Sequence, residues 1–328
     1  MKAAFYTRYG AARDVLQVGE LPDPQPGPGE VRVRVRYSGI NPSDCNRRAG
    51  IRDRPGYPLI VPHSDGGGEI DAAGDGVSRE RIGERVWIWN AQRERPFGTA
   101  AEYVALPSEQ AVRLPEVTSL EDGACLGVPA MTAYFSLFDA GPIEGRDVLV
   151  TGAAGACGSY AAQFARLAGA RTLVATVSSD EKARLAQEAG APVVVNYRTE
   201  DVVARVMEVT EGRGVDVISE VDFGGNIETS LAVAKVGCFI GAYASKGAPE
   251  PVLPFYPLLF RNVLVRFIQC YAMPDALRAD GTRDLRRWCE EGRITHPRKT
   301  VLHLAEAAKA QELVESGAVI GKVLLSID

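Results

Sequence analysis

The stretch that decides the fold is Val148-Leu-Val-Thr-Gly-Ala-Ala-Gly-Ala-Cys-Gly158. It opens with a short apolar run typical of a buried strand, passes through glycines at 152, 155 and 158, and continues into a segment with helical spacing. A pyrophosphate needs such a turn, because small residues let the backbone approach the anion and N–H groups at a helix start face it. The stretch therefore predicts a dinucleotide site that includes Gly152, Gly155, Ala156 and Cys157. A tight helix–sheet crossing without a ligand is the alternative interpretation.

Short β-rich runs follow this stretch and alternate with helical segments. The predicted strands are 147–151, 171–177, 193–197, 215–220, 238–242 and 263–268, and the predicted helices are 158–169, 178–190, 282–291 and 304–316. A closing strand is predicted at 322–327. The alternation favours an α/β fold with a parallel, doubly wound sheet. Ser178 and Glu181 have the spacing of a capping box for the second of these helices.

The residues after the second strand of this region bear on which dinucleotide binds. An acidic side chain there would favour NAD, since it accepts hydrogen bonds from the ribose hydroxyls and repels a 2′-phosphate. Here the strand ends in two serines, and the donors Ser178, Lys182 and Tyr197 are expected to converge on a phosphate. Asp180 and Glu181 add negative charge nearby. We expect NADPH, with NADH less favoured; the alternative is that Ser178 only caps and Lys182 is only solvated.

The first third of the chain has the pattern of short strands joined by turns. Val31 to Tyr37 alternates strictly, which places valines on one face of a strand and Arg32, Arg34 and Arg36 on the other. Further short strands are predicted at 59–61, 69–72 and 85–89. The arginine row is interpreted as a solvated strand face rather than a nucleic-acid surface, because the net charge is negative.

Composition limits the classes of function. The chain has 328 residues, which favours two domains, and a formal charge of −5, which argues against nucleic-acid and anionic-membrane partners. No apolar run approaches the ~18 residues of a membrane span. The six cysteines are scattered without a Cys-x-x-Cys pair, so a reducing cytoplasm is expected rather than a disulfide framework. The three histidines are His63, His296 and His303.

A series of motifs resembles the medium-chain dehydrogenase/reductase superfamily, specifically its quinone oxidoreductase (zeta-crystallin-like) branch. In chain order the motifs are Ser38-Gly-Ile-Asn-Pro-Ser-Asp44, Pro62-His-Ser-Asp-Gly-Gly-Gly68, Gly83-Glu-Arg-Val86, Gly98-Thr-Ala-Ala-Glu-Tyr103, Gly127-Val-Pro-Ala-Met-Thr-Ala-Tyr134, the glycine turn, Val195-Asn-Tyr-Arg198 and Gly321-Lys-Val-Leu-Leu325. The resemblance implies a GroES-like, mostly-β catalytic domain at 1–122 and 265–328. It also implies a Rossmann domain for NADP inserted at 123–264.

The zinc alcohol dehydrogenases of the same superfamily provide a test for metal. Alignment of the motifs puts Asn41, Ser64 and Val128 at the Cys, His and Cys positions that hold the catalytic zinc in those enzymes. His63 lies one residue away, and such a shift along an extended segment turns the side chain to the opposite face. An Asn, a Ser and a Val do not make a zinc site, so no metal is expected.

Without zinc to stabilise an alkoxide, a simple alcohol is a poor substrate. Hydride addition to a quinone or an enone gives a delocalised anion, and a phenol has a pKa of roughly 10. The resemblance therefore implies hydride transfer from NADPH to a quinone or a similar conjugated carbonyl, with Asn41 near the nicotinamide or the acceptor oxygen and Asp44 orienting the loop. It also implies a set of residues around the nicotinamide: Thr132, Gly241, Ala242, Tyr243, Phe267 and Ile268.

Two positions depart from the family pattern. Asn46 stands where relatives often carry a tyrosine near the substrate, and Gly317 where some members carry an arginine that helps bind the 2′-phosphate. Cys45 is interpreted as structural, with a reactive thiol as the alternative. Two alternative functions stay open: an enoyl or 2-alkenal reductase, and a non-catalytic, crystallin-like protein that binds NADPH. The apolar run 263–268 is expected at a sheet edge, where it would make a homodimer by sheet extension.

Overall fold

The computed structural model describes residues 1–51 and 56–327. Its strands are β1 (Lys2–Phe5), β2 (Gln17–Glu20), β3 (Glu30–Ile40), β4 (Asp65–Ala73), β5 (Arg85–Ile88), β6 (Tyr103–Pro107), β7 (Ala111–Arg113), β8 (Asp147–Val150), β9 (Thr172–Val177), β10 (Val193–Asn196), β11 (Val215–Glu220), β12 (Ala234–Ala242), β13 (Leu264–Phe267), β14 (Lys299–His303) and β15 (Lys322–Ser326).

The helices are α1 (Ala12–Val15), α2 (Pro42–Ala49), α3 (Leu120–Gly123), α4 (Gly127–Phe138), α5 (Ala156–Leu167), α6 (Asp180–Glu188), α7 (Val202–Val209), α8 (Phe223–Val233), α9 (Phe255–Phe260), α10 (Asp275–Glu290) and α11 (Ala307–Ser316). Short 3-10 turns lie at Arg79–Arg81, Ser108–Gln110, Cys270–Ala272 and Leu304–Glu306.

The chain divides into two compact units. The first comprises residues 1–128 and the segment from residue 282 onward, and the second comprises 129–281. Both divisions fall inside helices, α4 and α10. The domain boundaries expected from the resemblance, 122/123 and 264/265, remain a prediction.

The second unit is built on a parallel sheet with the order β10-β9-β8-β11-β12-β13. This is the strand order of a doubly wound dinucleotide-binding sheet, and the predicted α/β class is confirmed. The valines, leucines and isoleucines of β8, β9 and β11 are buried because helices cover a parallel sheet on both faces. The predicted edge position of the apolar run 263–268 is also confirmed, since β13 ends the sheet.

The N-cap of helix α6 differs from the sequence prediction. Helix α6 begins at Asp180, and Ser179 rather than Ser178 is its N-cap, with its hydroxyl accepting from the backbone N–H of Lys182. Two adjacent serines offer the same capping chemistry, and the backbone of Ser179 is extended at the helix start, as a cap requires. The correction leaves the Ser178 hydroxyl available for a side-chain contact.

The first unit contains a sheet in the order β14-β15-β3-β4-β5-β7, with β6 paired to β3. Its neighbouring strands are antiparallel except for the parallel pair β14 and β15. Strand β15, near the end of the chain, pairs with β3, so the tail shares a sheet with the first third. This arrangement agrees with the expected GroES-like class.

Strand β3 confirms the predicted alternation of buried valines with arginines on the opposite face. Val31, Val33 and Val35 are buried in the core of the first unit. On the opposite face, Arg32 forms two hydrogen bonds of 2.9 Å with Asp71 of the neighbouring strand. Arg36 lies 3.6 Å from Glu69, and Arg34 is exposed, so acidic side chains balance two of the three arginines. The interpretation as a solvated face remains a prediction.

Two sequence predictions were wrong in extent. The run 59–61 forms isolated bridges rather than a strand of a sheet. Helix α10 begins at Asp275, seven residues before the predicted start at 282, because Gly281 lies inside the helix instead of breaking it. A side chain at Gly281 would lie 3.1 Å from the ring of Tyr134, so the glycine serves close packing there.

No helix in the described part of the chain has the length and apolar character needed to cross a membrane.

Candidate functional site

The glycine turn of the second unit has the geometry that its sequence predicts. Gly152 follows β8 with a φ of +66°, in the left-handed region that favours glycine. Gly155 is the N-cap of α5, and a Cβ on Gly158 would lie 2.4 Å from the carbonyl oxygen of Gly152. The start of α5 therefore packs directly on the turn, and Ala156 and Cys157 form its first helical residues. This cradle fits a pyrophosphate at a helix N-terminus.

Neighbouring strands hold the turn through side chains that the sequence analysis did not single out. The Thr151 hydroxyl donates to Glu220 Oε1 at 2.8 Å and accepts from the N–H of Val221 at 2.9 Å. On the other side, the N–H of Gly152 donates to the Thr176 hydroxyl at 3.2 Å. Polar residues are common where strands end and loops begin, so nothing in the sequence indicates that these side chains support the turn.

The three donors predicted to meet a phosphate lie at the ends of β9 and β10. Lys182 Nζ donates to the Ser178 hydroxyl at 2.9 Å, which brings the ammonium from the first turn of α6 back to the end of β9. The N–H of Tyr197 donates to the carbonyl of Val177, so Tyr197 follows the neighbouring strand end, and its side chain is exposed. The structure thus brings Ser178 and Lys182 into contact and places Tyr197 next to them along the sheet edge.

The residues expected around the nicotinamide lie partly together. Gly241 and Ala242 end β12, and a Cβ on Gly241 would lie 2.4 Å from the carbonyl oxygen of Ser136 in α4. The N–H of Ile268 donates to the carbonyl of Ala242 at 2.7 Å, and the N–H of Tyr243 donates to that of Glu220. Four of the six predicted residues therefore lie at the carboxyl ends of the parallel strands, where the glycine turn also lies.

The other two predicted residues differ from these in their surroundings. Phe267 is mostly exposed, and its ring packs edge-on against Phe223 with centroids 5.3 Å apart. Thr132 is buried on α4. Their assignment to a nicotinamide pocket remains a prediction.

In the first unit, Asn41 belongs to a buried polar cluster with Asp65 and Lys322. Asn41 Nδ2 donates to Asp65 Oδ2 at 2.7 Å, and Lys322 Nζ donates both to Asn41 Oδ1 at 2.6 Å and to Asp65 Oδ2 at 2.9 Å. All three residues are at most 4% exposed. A charged pair this deep is stable only with good geometry and further hydrogen bonds, and this cluster supplies both. We call it the Asn41 cluster.

Adjacent strands and close backbone approaches create the Asn41 cluster. Strand β3 lies between β15 and β4, which start with Lys322 and Asp65, and Asn41 directly follows β3. The N–H of Val128 donates to Asp65 Oδ1 at 2.7 Å. A Cβ on Gly127 would lie 2.1 Å from that same oxygen, so the Gly127-Val128 segment packs directly against the carboxylate.

Asp44 supports the same segment. Its Oδ2 accepts from the backbone N–H of Asn41 at 2.7 Å, which satisfies the backbone at the start of α2. Burial and the negative charge of Asp65 raise the pKa of Asp44 to about 7. The predicted orienting role agrees with this contact.

The side chains at the three zinc-ligand positions do not fit a zinc ion. Asn41 is engaged with Asp65 and Lys322, and the Lys322 ammonium 2.6 Å from its oxygen would repel a dication. Ser64 and Val128 offer no imidazole or thiolate. Within residues 1–51 and 56–327, no group of three His, Cys, Asp or Glu side chains is arranged to hold a metal.

His63 is committed to a structural network. Its Nδ1 lies 2.9 Å from the Ser38 hydroxyl and its Nε2 lies 3.1 Å from Gln311 Nε2. Burial lowers the pKa of His63 to about 3, so the imidazole is neutral at physiological pH. With both ring nitrogens engaged, His63 is unsuited to act as a ligand or a general base.

The remaining positions noted in the sequence have plain structural roles. Cys45 is buried, its thiol points to the carbonyl of Gln311, and burial raises its pKa, in agreement with a structural cysteine. Asn46 is half-buried in α2. Gly317 ends α11 with a φ of +64°, a left-handed cap where glycine is preferred.

Asp65 and Lys322 are the residues that the sequence analysis missed. Both lie inside quoted motifs, Pro62 to Gly68 and Gly321 to Leu325, but a lone acid and a lone base 257 positions apart carry no local signal of pairing. The pairing of β15 with β3 was needed to bring them together.

Comparison with known proteins agrees with this geometry. Residues 27–116 match the family described as alcohol dehydrogenase GroES-like domain, and residues 156–282 match zinc-binding dehydrogenase. The structure of Escherichia coli quinone oxidoreductase complexed with NADPH superposes with a TM-score of 0.86 at 26% identity, covering 100% of both chains.

Three relatives extend the comparison. Quinone oxidoreductase from Pseudomonas aeruginosa is 36% identical over 227 residues, 69% of this chain and 68% of that protein. Human quinone oxidoreductase is 30% identical over 65% of this chain and 63% of its own length, slightly under two thirds. The 2-haloacrylate reductase of a Burkholderia species is 30% identical over 88% of this chain and 87% of that protein. The chain therefore belongs to the quinone oxidoreductase family of the medium-chain dehydrogenase/reductase superfamily, and it is a nicotinamide-dependent oxidoreductase.

Proposed function

We propose that the chain reduces a quinone or a similar conjugated carbonyl with NADPH and without zinc. The observation that carries the proposal is the buried amide of Asn41, held at a former metal-ligand position by an acid and an ammonium. A bound NADPH supplies the hydride that converts a quinone into a phenolate or an enone into an enolate. The names of the relatives from Pseudomonas and human support the quinone as acceptor.

In this proposal the second unit holds the cofactor. The glycine turn and the start of α5 take the pyrophosphate, and the Ser178 hydroxyl with the Lys182 ammonium takes the 2′-phosphate. The strand ends at Gly241, Ala242, Tyr243 and Ile268 orient the nicotinamide. The position after β9 carries hydroxyls rather than the acid that would favour NADH.

The first unit stabilises the acceptor. Asn41 donates a hydrogen bond to the acceptor oxygen, where negative charge develops as the hydride arrives. A phenolate or enolate is delocalised, so an amide donor is sufficient where an alkoxide would need a metal. The acceptor oxygen then takes its proton from solvent.

The 2′-phosphate assignment is tested by Lys182→Met. We expect its KM for NADPH to rise by about 10 to 100-fold, the effect of losing a charge-assisted hydrogen bond, and its KM for NADH to change by less than about 2-fold. Arg184→Met is the matched control, because Arg184 is an exposed cation on the same helix. Equal effects of Lys182→Met on both cofactors would refute the assignment.

The acceptor assignment is tested by NADPH consumption with a simple orthoquinone. We expect turnover by the wild type, and a loss of about 100-fold in kcat for Asn41→Ala with the affinity for NADPH unchanged. An unchanged rate would remove Asn41 from the site. Measurable NADPH binding without any turnover would favour the non-catalytic, crystallin-like alternative.

A second candidate is an enoyl or 2-alkenal reductase. The 2-haloacrylate reductase of Burkholderia is aligned over most of this chain and by its name acts on a conjugated alkene, which favours this candidate. A panel of quinones against 2-alkenals and enoyl thioesters distinguishes the two. Higher kcat/KM for the alkenals would replace the quinone proposal.

The partner in solution is a second copy of the chain. Strand β13 is the edge of the parallel sheet, and it exposes Leu264 and Phe267. Helix α9, which precedes it in the chain, exposes Phe255, Tyr256 and Phe260. An apolar unpaired edge is covered in stable proteins, and antiparallel pairing of two β13 strands would cover it. Light scattering should return a dimer, and a monomer would overturn this proposal.

A further inference from the structure

We propose that Lys322 and Asp65 are positioning residues that fix the side-chain amide of Asn41 in one orientation and polarise it as a hydrogen-bond donor toward the acceptor oxygen. The inference rests on the proposed function of Asn41. It assigns a role to a buried ion pair whose two charges lie 257 positions apart in the chain.

The hydrogen bonds of the Asn41 cluster permit only one orientation of the amide. The oxygen of Asn41 accepts from the Lys322 ammonium, and one hydrogen of Nδ2 goes to the Asp65 carboxylate. Rotation by 180° would set the NH2 group against the ammonium and the carbonyl oxygen against the carboxylate. Both contacts would be repulsive in a buried site, where charges interact more strongly than in water.

The orientation leaves a single donor. A carboxamide carries two N–H hydrogens on its nitrogen, and Asp65 takes one of them. Among residues 1–51 and 56–327, the bond to Asp65 is the one hydrogen bond that Nδ2 donates, which leaves the second hydrogen for a ligand. Since the carbonyl oxygen of Asn41 is occupied by Lys322, Asn41 offers a donor and no acceptor to a ligand. The site therefore selects a ligand with a carbonyl-type oxygen over one that presents only a hydroxyl donor.

The ammonium also strengthens that donor. The Lys322 ammonium, hydrogen-bonded to the amide oxygen, draws electron density from the amide nitrogen. Consecutive hydrogen bonds polarise one another in this way. The polarised N–H of the neutral amide therefore stabilises negative charge on the acceptor oxygen. Related dehydrogenases hold a metal at this position. Asp65 balances the charge of Lys322 and keeps the buried cluster neutral.

The surrounding backbone is shaped to hold this pair. A Cβ on Gly39 would lie 3.1 Å from Lys322 Cε and 3.1 Å from the Asp65 Cβ, and a Cβ on Gly127 would lie 2.1 Å from Asp65 Oδ1. The N–H of Val128 donates to Asp65 Oδ1, the carboxylate oxygen that does not contact Asn41. The carboxylate is thus fixed on both sides, and the amide of Asn41 is fixed through it.

The first test is a double-mutant cycle with Lys322→Met and Asn41→Ala. If Lys322 acts through Asn41, Lys322→Met lowers kcat for quinone reduction by about 10 to 100-fold in the wild type and by less than about 2-fold in the Asn41→Ala background. The KM for NADPH stays constant in both. Equal fold-losses in the two backgrounds would overturn the inference, because they would show that Lys322 does not act through the amide.

The matched control is Lys299→Met. Lys299 is the register partner of Lys322 on the neighbouring strand and pairs with Asp122, so its removal takes a similar cation from the same unit. We expect its kcat to equal that of the wild type. If Lys322→Met fails to fold because it leaves a buried carboxylate unpaired, Asp65→Asn with Lys322→Met removes both charges and should show the same loss of kcat.

The second test does not depend on turnover, so it separates failure of the inference from failure of the proposed function. In ¹⁵N-labelled protein, the Asn41 side-chain amide, assigned by its disappearance in Asn41→Ala, should give two resolved, slowly exchanging protons. Lys322→Met should accelerate their exchange at least several-fold, and Lys299→Met should not. Unchanged exchange in Lys322→Met would refute the positioning role even if quinones are reduced.

Discussion

The glycine turn and the Asn41 cluster, the two main parts of the candidate site, are built in opposite ways. The turn is made by consecutive residues, from the end of β8 to the start of α5, and in the proposed function its backbone N–H groups contact the pyrophosphate. The Asn41 cluster is made by side chains at the end of β3 and the starts of β4 and β15, the last far away in sequence, and it is almost completely buried. The comparison teaches that a backbone site can be identified from a short motif, whereas a side-chain site needs the topology.

The largest effect should come from adding one methyl group to the turn, in Gly158→Ala. Its Cβ would lie 2.4 Å from the Gly152 carbonyl oxygen and 2.8 Å from the Cα of Ala153, both backbone atoms that cannot move away cheaply. We expect the start of α5 to be displaced and the Kd for NADPH to rise by at least about 100-fold. Fluorescence titration measures this.

The control for that substitution is Gly27→Ala, whose Cβ would make only an ordinary contact at 3.4 Å with the side chain of Glu30. It should bind NADPH like the wild type. An affinity of Gly158→Ala within about 3-fold of the wild type would show that the turn is not the cofactor cradle.

A methyl group added next to the Asn41 cluster, in Gly127→Ala, should lower the stability of the first unit and the rate of quinone reduction. In Gly127→Ala the Cβ would lie 2.1 Å from Asp65 Oδ1, and the buried carboxylate has no room to withdraw. We expect the free energy of unfolding of the first unit to fall by about 3 kcal/mol and quinone reduction to drop, with the NADPH affinity of the second unit retained. Denaturant unfolding and NADPH titration on one sample would test this, and a parallel loss of NADPH binding would break the comparison.

Asp44→Asn should reveal the electrostatics of the Asn41 cluster through pH. The raised pKa of Asp44, about 7, results first from burial and then from the charge of Asp65, while the N–H of Asn41 and the charges of Lys322 and Arg47 act in the opposite direction. The folded protein thus keeps a proton that the unfolded chain releases near pH 4. The stabilisation is complete below about pH 4 and is lost as pH rises through about 7.

Because Asn cannot titrate and still offers an oxygen to the backbone N–H of Asn41, Asp44→Asn should gain stability relative to the wild type as pH rises. We expect the difference in unfolding free energy to widen by roughly 2 to 4 kcal/mol between pH 4 and pH 8. Urea unfolding across this range measures it. Parallel pH profiles of the two proteins would show that Asp44 titrates normally.

The smallest effect compares one cysteine from each region. Cys157 lies in the first turn of α5, directly after the glycine turn, and is half-buried. Cys45 lies beside Asp44, is buried, and has its pKa raised by burial. We expect a maleimide to label Cys157 and not Cys45 in the folded protein, and NADPH to slow that labelling several-fold. Mass spectrometry of the labelled peptides checks this. Labelling of Cys45 at the same rate as Cys157 would contradict the structural role of Cys45.

Sequence reasoning recovered the parallel sheet because each strand is a local apolar run. The predicted strand 215–220 coincides with β11, and the edge position of 263–268 is confirmed. Boundaries that depend on tertiary packing were missed. Helix α10 continues through Gly281 because that glycine packs against Tyr134, and the cap of α6 fell on the second of two equivalent serines.

The candidate site could be predicted only in its local parts. Ser178 and Lys182 could be proposed because both follow β9 closely, and the resemblance supplied Asn41; their roles remain predictions. The pairing of Asp65 with Lys322 had no local signal, since charged residues are ordinarily exposed and nothing in either motif indicates burial. Only the insertion of β15 beside β3 makes them neighbours.

The pairing of β15 with β3 has a consequence for folding during synthesis. On a ribosome, β3 and β4 emerge about 250 residues before β15, while all six strands of the parallel sheet have emerged before it. Domains generally fold as units during synthesis, and pairings between distant segments form late. Until β15 emerges, Asp65 lacks the Lys322 ammonium and residues 37–40 of β3 lack their partner strand, while the second unit can already fold. We expect a chaperone that binds the nascent chain to contact the unpaired end of β3, residues 37–40.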